Sequence, residues 1–164
     1  MIKFSLQQIQ QNSPYEIVLS EGGDFLFVTD SNITYSISFT EEMVLGECQT
    51  YQFILRKIEE THSAHDEKVV KTVLAIINEF FRLNQNVLLY LCDTHDHREE
   101  ARNRLFINWF QKHAEPNRFT ICTAQTNIEG QGFYAAIIIE NTNPQLDAIK
   151  EDFSFTAEML TNEK

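Results

Sequence analysis

The chain has 164 residues, of which 43% are hydrophobic and 13 are Phe, and its 24 acidic against 13 basic residues give a formal net charge of −11. That length and apolar content predict one globular domain, residues 1–164, with a sizeable core. The negative charge excludes duplex DNA and anionic membrane as partners, because both require a basic footprint.

No apolar stretch approaches the roughly 18 residues of a membrane span. The opening Met-Ile-Lys-Phe-Ser-Leu-Gln-Gln lacks a basic stretch followed by an apolar one, so neither a span nor a signal peptide is expected and the location is read as cytoplasmic. Cys48, Cys92 and Cys122 form an odd set without paired spacing and read as reduced core thiols.

In chain order, residues 1–14 are polar and Gln-rich, with Ile2, Phe4 and Leu6 alternating, and read as a short edge strand or a docked arm. Tyr15 to Leu19, Phe25 to Thr29 and Ile33 to Thr40 read as strands separated by turns at Glu21-Gly22-Gly23-Asp24 and Asp30-Ser31-Asn32. In the third, Ile33, Tyr35, Ile37 and Phe39 oppose Thr34, Ser36, Ser38 and Thr40, the pattern of a β-meander with one wet face. A loop from Glu41 to Thr50 leads into a fourth strand, Tyr51 to Ile58. After the polar stretch Glu59 to Asp66, Val69, Val70, Val73, Leu74, Ile77, Phe80 and Phe81 recur at helical spacing, and Asn84-Gln85-Asn86 ends that helix. A strand, a polar loop and a second helix fill Val87 to Phe110. Phe119 to Ala124 and Phe133 to Glu140 are two further strands joined by a loop from Gln125 to Gly132. Asn143 caps and Pro144 opens a last helix with Leu146, Ile149, Phe153, Ala157 and Leu160 on one side. The order β-β-β-β-α-β-α-β-β-α specifies an α+β fold: a mostly antiparallel sheet packed with three helices, with one parallel pairing made through a crossover.

The stretch around Val87 carries the most chemical information. Val87 to Cys92 is apolar without alternation, as in a strand covered on both faces, and then breaks into Asp93-Thr94-His95-Asp96-His97. Asp96 and Glu99 make a capping box that starts the helix at His97. At about 100° per residue, Leu105, Phe106, Trp109 and Phe110 share one face with Arg98 and Arg102, and Arg104 falls opposite. An isolated buried charge is prohibitive, so these two arginines call for Asp93 and Asp96 as partners. Two readings stay open. One is an Asp/Arg cluster that fixes the loop against the helix. The other is an anion or metal pocket at the strand end, where open sheets place ligands. The candidate residues of this corner are Asp93, His95, Asp96, His97, Arg98 and Arg102.

The pattern Cys92-Asp93-x-x-Asp96-x-Arg98-x-x-x-Arg102-x-Arg104-Leu105-Phe106-x-x-Trp109-Phe110 resembles an uncharacterised family of small bacterial proteins, chiefly from Bacteroidetes. The likeness extends to Phe25-x-Phe27-x-Thr29, Ile33-x-Tyr35-x-Ile37-x-Phe39 and Asn143-Pro144. It implies a bacterial, single-domain protein and carries no catalytic residue across.

His95 and His97 with Asp93 and Asp96 are the densest set of potential metal ligands, and His62 and His65 join them only if the preceding loop lies alongside. Without an H-E-x-x-H or C-x-x-C pattern, neither a native metal nor a cofactor is expected. There is no G-x-S-x-G elbow, P-loop or G-x-G-x-x-G, and Cys92 ends a buried run where a thiol is inert, so no catalytic residue is assigned. Acidic against basic residues number 9 to 3 in 1–60, 7 to 7 in 61–114 and 8 to 3 in 115–164. Acidic flanks around a neutral middle fit a non-enzymatic interaction module whose partner is another, basic protein, as for an inhibitor, an immunity protein or an antitoxin. The alternative is a small enzyme or ligand-binding protein using the corner from Asp93 to Arg102.

The corner is testable from sequence alone. If Arg102 neutralises a partly buried carboxylate, Arg102→Ala costs about 3–5 kcal/mol in denaturant melts. Arg104→Ala, on the opposite face, costs under about 1 kcal/mol. Unchanged stability in Arg102→Ala favours the pocket.

Overall fold

The computed structural model describes residues 2–58, 66–93, 99–129 and 131–162. In chain order the elements are α1 (Leu6–Asn12), β1 (Val18–Leu19), β2 (Phe25–Val28), β3 (Thr34–Leu45), β4 (Cys48–Lys57), α2 (Glu67–Leu83), β5 (Val87–Asp93), α3 (Glu99–His113), β6 (Phe119–Ile128), β7 (Gln131–Glu140) and α4 (Leu146–Asn162). The fold is α+β, and its seven strands run in the order β1-β2-β3-β4-β5-β7-β6. β1–β2, β2–β3, β5–β7 and β7–β6 pair antiparallel, whereas Thr50, Tyr51 and Gln52 of β4 lie beside Val87, Leu88 and Leu89 of β5 in parallel. That pair is joined through α2, the crossover expected from the sequence. The chain divides into two compact units, residues 1–40 with 53–84 and residues 41–52 with 85–164.

In the first unit α2 turns Val70, Val73, Leu74, Ile76, Ile77, Phe80 and Phe81 inward. Phe25, Phe27, Ile37 and Phe53 of the same unit are buried as well. Much of the chain's Phe content is spent here: the Phe39 ring stacks on Phe80 at 5.4 Å and lies 5.0 Å from Phe4 and 5.8 Å from Phe53. Such pairs add about 0.5–1.5 kcal/mol each beyond the area they bury.

The N-terminal segment departs from the reading as a strand or arm, because residues 6–12 form α1. Ser5 caps it, its hydroxyl accepting from Gln8 N at 3.3 Å, and the helix ends at Asn12, just before Ser13-Pro14. Ile9 is fully buried, and α1 packs on α2. The strand that follows is also shorter than the expected Tyr15 to Leu19. Two polar ties hold the start of the chain: the Asn84 side chain exchanges hydrogen bonds with the backbone of Lys3 at 3.0 and 2.8 Å, and Ser5 N donates to Glu79 at 2.8 Å. Glu79, 3% exposed, is neutralised by Arg82 at 2.5 Å.

In the second unit β5 is covered on both faces, as its uninterrupted apolar run requires. Val87 and Leu89 join Leu45, Ala135, Ile137 and Ile139 beneath Ile149 and Phe153 of α4. Leu88 and Ile138 are fully buried, and Tyr90 stacks on Phe106 of α3 at 4.1 Å. The last helix begins at Leu146 rather than at the expected Pro144, and Asn143 stands three residues before it, its side chain accepting from Gln145 N at 2.8 Å. Cys48 and Cys122 are free thiols, half-buried at the margin of this core rather than inside it.

Two expected loops are hairpins instead. Glu41 to Thr50 continues β3 to Leu45 and turns in two residues, Gly46 (φ 53°) and Glu47 (φ 67°), both left-handed as a type I′ hairpin requires. Gln125 to Gly132 is likewise strand as far as Ile128 and again from Gln131, with Glu129 at φ 52° in the turn.

Gly46 is also a packing constraint, because a Cβ there would lie 2.5 Å from Ile149 N, while Gly46 N donates to Asp152 of α4 at 2.6 Å. Gly46→Ala combines left-handed strain with a backbone clash and should cost more than about 2 kcal/mol. Gly22→Ala, whose nearest neighbour is Ser20 Oγ at 3.8 Å, should stay within about 0.5 kcal/mol of wild type in the same urea melts.

Candidate functional site

The backbone delivers the frame of the corner at the end of β5. Asp93 is the last residue of the strand and pairs with Phe133 of β7, and α3 begins at Glu99. Phe106 and Phe110 are buried beneath it, Trp109 is half-buried with its ring 5.2 Å from Phe106, and Phe110 meets Phe119 at 5.2 Å. The face on which the sequence placed Phe106 and Phe110 is therefore the packed one. The connection 94–98, with His95, Asp96, His97 and Arg98, lies outside the described residues, as do the side chains of Cys92, Asp93 and Arg102. The capping box and the Asp/Arg pairing both fall there. His62 and His65 also lie outside, and among the described residues no three His, Cys, Asp or Glu side chains gather to hold a metal ion.

A second polar centre, in the first unit, was not read from the sequence. The Tyr15 hydroxyl donates to Asp66 at 2.6 Å and accepts from Asp30 N at 3.3 Å, while Lys68 Nζ reaches Asp30 at 2.8 Å and sits 5.6 Å above the Tyr15 ring. Asp66 is the N-cap of α2 and accepts from Lys68 N at 2.8 Å. Burial raises the Tyr15 pKa, and the Asp66 hydrogen bond and negative charges add to it. Burial pushes Asp66 upward too, but the Tyr15 hydroxyl, the N–H groups of Lys68 and Val69 and the Lys68 charge together outweigh it and hold its pKa below the usual value. The tyrosine is thus a hydrogen-bond donor clamped between two carboxylate-bearing segments, a fastening that ties them together. The sequence signal that existed was Asp66 ahead of an apolar helical stripe, which marks a cap. Its partner lies 51 residues away, and no local pattern shows that.

Nearby, the outer face of β1 and β2 carries an open groove of about 370 Å³ lined by Glu16, Val18, Leu26, Phe27, Val28 and Thr34. Val18 stands directly opposite Leu26, and Val28 lies two residues along from Leu26 on the same strand face, opposite Thr34.

A family model matches residues 65–155, more than half of the chain. The chain belongs to DUF6169, a family of unknown function. The DUF6169 match takes in the corner, from Cys92 through Phe110, and Asn143-Pro144, whereas the β-meander around Phe25 to Phe39 precedes it. No curated protein and no solved structure matches the chain. Among the described residues of this DUF6169 chain no helix is long and apolar enough to cross a membrane.

The Tyr15 fastening has a pH signature. A carboxylate whose folded pKa is depressed adds stability above its unfolded pKa, near 3.9, and that stability is lost as pH falls through the folded value. Tyr15→Phe should cost about 2 kcal/mol at neutral pH, as for a hydrogen bond to a charged group. In denaturant melts against pH, the gap between wild type and variant should narrow below about pH 4. A constant gap would mean that the loss is one of packing.

Proposed function

We propose that this DUF6169 chain is an acidic protein-interaction module of the bacterial cytoplasm, without enzymatic activity, that receives a basic protein partner in the manner of an inhibitor, an immunity protein or an antitoxin. The observation that supports this reading is the groove on the outer face of β1 and β2. Val18 and Val28 are 54% and 53% exposed there, on either side of Leu26, which pairs with Val18 and shares its strand face with Val28. Neighbouring apolar residues on an open sheet face gain by being covered. Glu16, which lines the groove, is exposed, and the segment 1–60 carries nine acidic against three basic residues. An apolar centre with an acidic surround favours a partner of opposite rim, since charge steers the approach and apolar contact holds it.

The test is capture from the native host with tagged wild type and with Val28→Glu, which changes an exposed side chain. The expected result is one stoichiometric basic protein, retained at low ionic strength, released as salt rises, and bound about tenfold or more weakly by Val28→Glu. Absence of a stoichiometric partner at low salt, or equal capture by the variant, overturns the reading.

A further inference from the structure

β6 stands at one end of the strand order, with β7 as its neighbour among the described residues. The register fixes which of its backbone groups face outward. Asn141 N donates to Arg118 O at 2.8 Å, so even-numbered residues of β6 exchange hydrogen bonds with β7, and Ile121 and Thr123 near its centre direct N–H and C=O away from it. The strand is ten residues long, Phe119–Ile128, and holds no charged residue and no proline in a chain that is 23% charged. Edge strands are ordinarily kept from pairing by lysines, prolines, bulges or shortness.

The opposite end of the strand order is protected in that way. β1 has two residues, and just before it the Gln10 side-chain amide accepts from Ile17 N at 2.8 Å and donates to Tyr15 O at 3.0 Å. Those are the two backbone groups that one residue of a neighbouring parallel strand would take. The β1 edge is blunted by a side chain of its own chain, whereas among the described residues Ile121 and Thr123 at the centre of β6 have no such cover.

We propose that β6 is a homodimer interface, pairing antiparallel with β6 of a second copy. Antiparallel pairing of a strand with itself is generated by a two-fold axis normal to the sheet, an isologous contact that closes at two copies. The uncharged strand is where two chains of net charge −11 meet without like charges facing each other across the pairs. The same axis sets α4, which packs on β6, beside its counterpart on one face of the extended sheet. The blunted β1 edge stops the sheet from growing further.

The experiment is sedimentation velocity with light scattering on the full chain, comparing wild type with Thr123→Pro and Thr123→Lys. Thr123 is exposed and its N–H points away from β7, so proline removes a donor from the interface while leaving the β6–β7 ladder intact, and lysine adds a like-charge pair. Wild type should run at twice 19.1 kDa, and each variant should raise the dimer dissociation constant about tenfold or more while melting cooperatively. If Thr123→Pro fails to fold, Thr123→Lys decides. A wild type that stays at 19.1 kDa at about 100 μM, or a dimer indifferent to the folded variants, overturns the proposal; a monomer leaves the edge to a strand of another protein.

Discussion

The first half of β5 has no wet face, and much of the architecture follows from keeping it dry. Val87 and Leu88 are wholly shielded and Leu89 is 3% exposed, so the strand needs a strand on each side and a helix above and below. β7 and β4 supply the edges, and α3 and α4 supply the covers. Each such side chain contributes about 1.5–3 kcal/mol by leaving water, more than the roughly 0–1 kcal/mol of an exposed ion pair. Because β4 lies parallel to β5, no tight turn can join them, and the connecting segment has to be long enough to cross over. α2 is that segment, and its buried stripe is what the first unit is built upon.

What was legible in the sequence tracks how local the cause is. The run Val87 to Cys92 and the stripe from Val69 to Phe81 announce themselves, since burial on two faces or one leaves a pattern within a dozen residues. α1 was obscured because alternation at Ile2, Phe4 and Leu6 has the same signature as a short strand, and the cap at Ser5 is a single residue. The hairpin at Gly46-Glu47 was read as a loop because Glu is a poor left-handed residue and because Glu41 to Val44, though extended, are exposed. The polar Gln125, Thr126 and Asn127 read as loop for a related reason: they are the residues of an edge strand. At the corner the sequence found the frame, the end of β5 and the packed face of α3, while the polar side chains it named lie outside the described residues. The Tyr15 and Asp66 fastening was illegible in principle, being a contact between segments with nothing in common but their folded position.

The acidity of the chain is distributed with some economy. Glu79 and Asp66, the carboxylates drawn into the first unit, are each held by hydrogen bonds from several directions, so their charge is matched where water is scarce. The acids of the groove rim and of the β3 strand, Glu16, Glu41 and Glu42, stay in solvent. Exposed charge of one sign costs little at each position, and its sum sets which surfaces can approach one another.

The tie between Lys3 and Asn84 spans 81 positions of the chain. During synthesis, at about 5–20 residues per second, the first few residues therefore exist for about 4–16 seconds before the asparagine that anchors them has been made. For that interval Ile9 and the aromatic ring of Phe4 have no helix α2 to lie against, and the nascent segment is held only by its own weak helical preference. Phe4 and Ile9 thus settle only once α2 has been made, and any change that delays α2 on the ribosome lengthens the time for which those apolar groups are open to other chains.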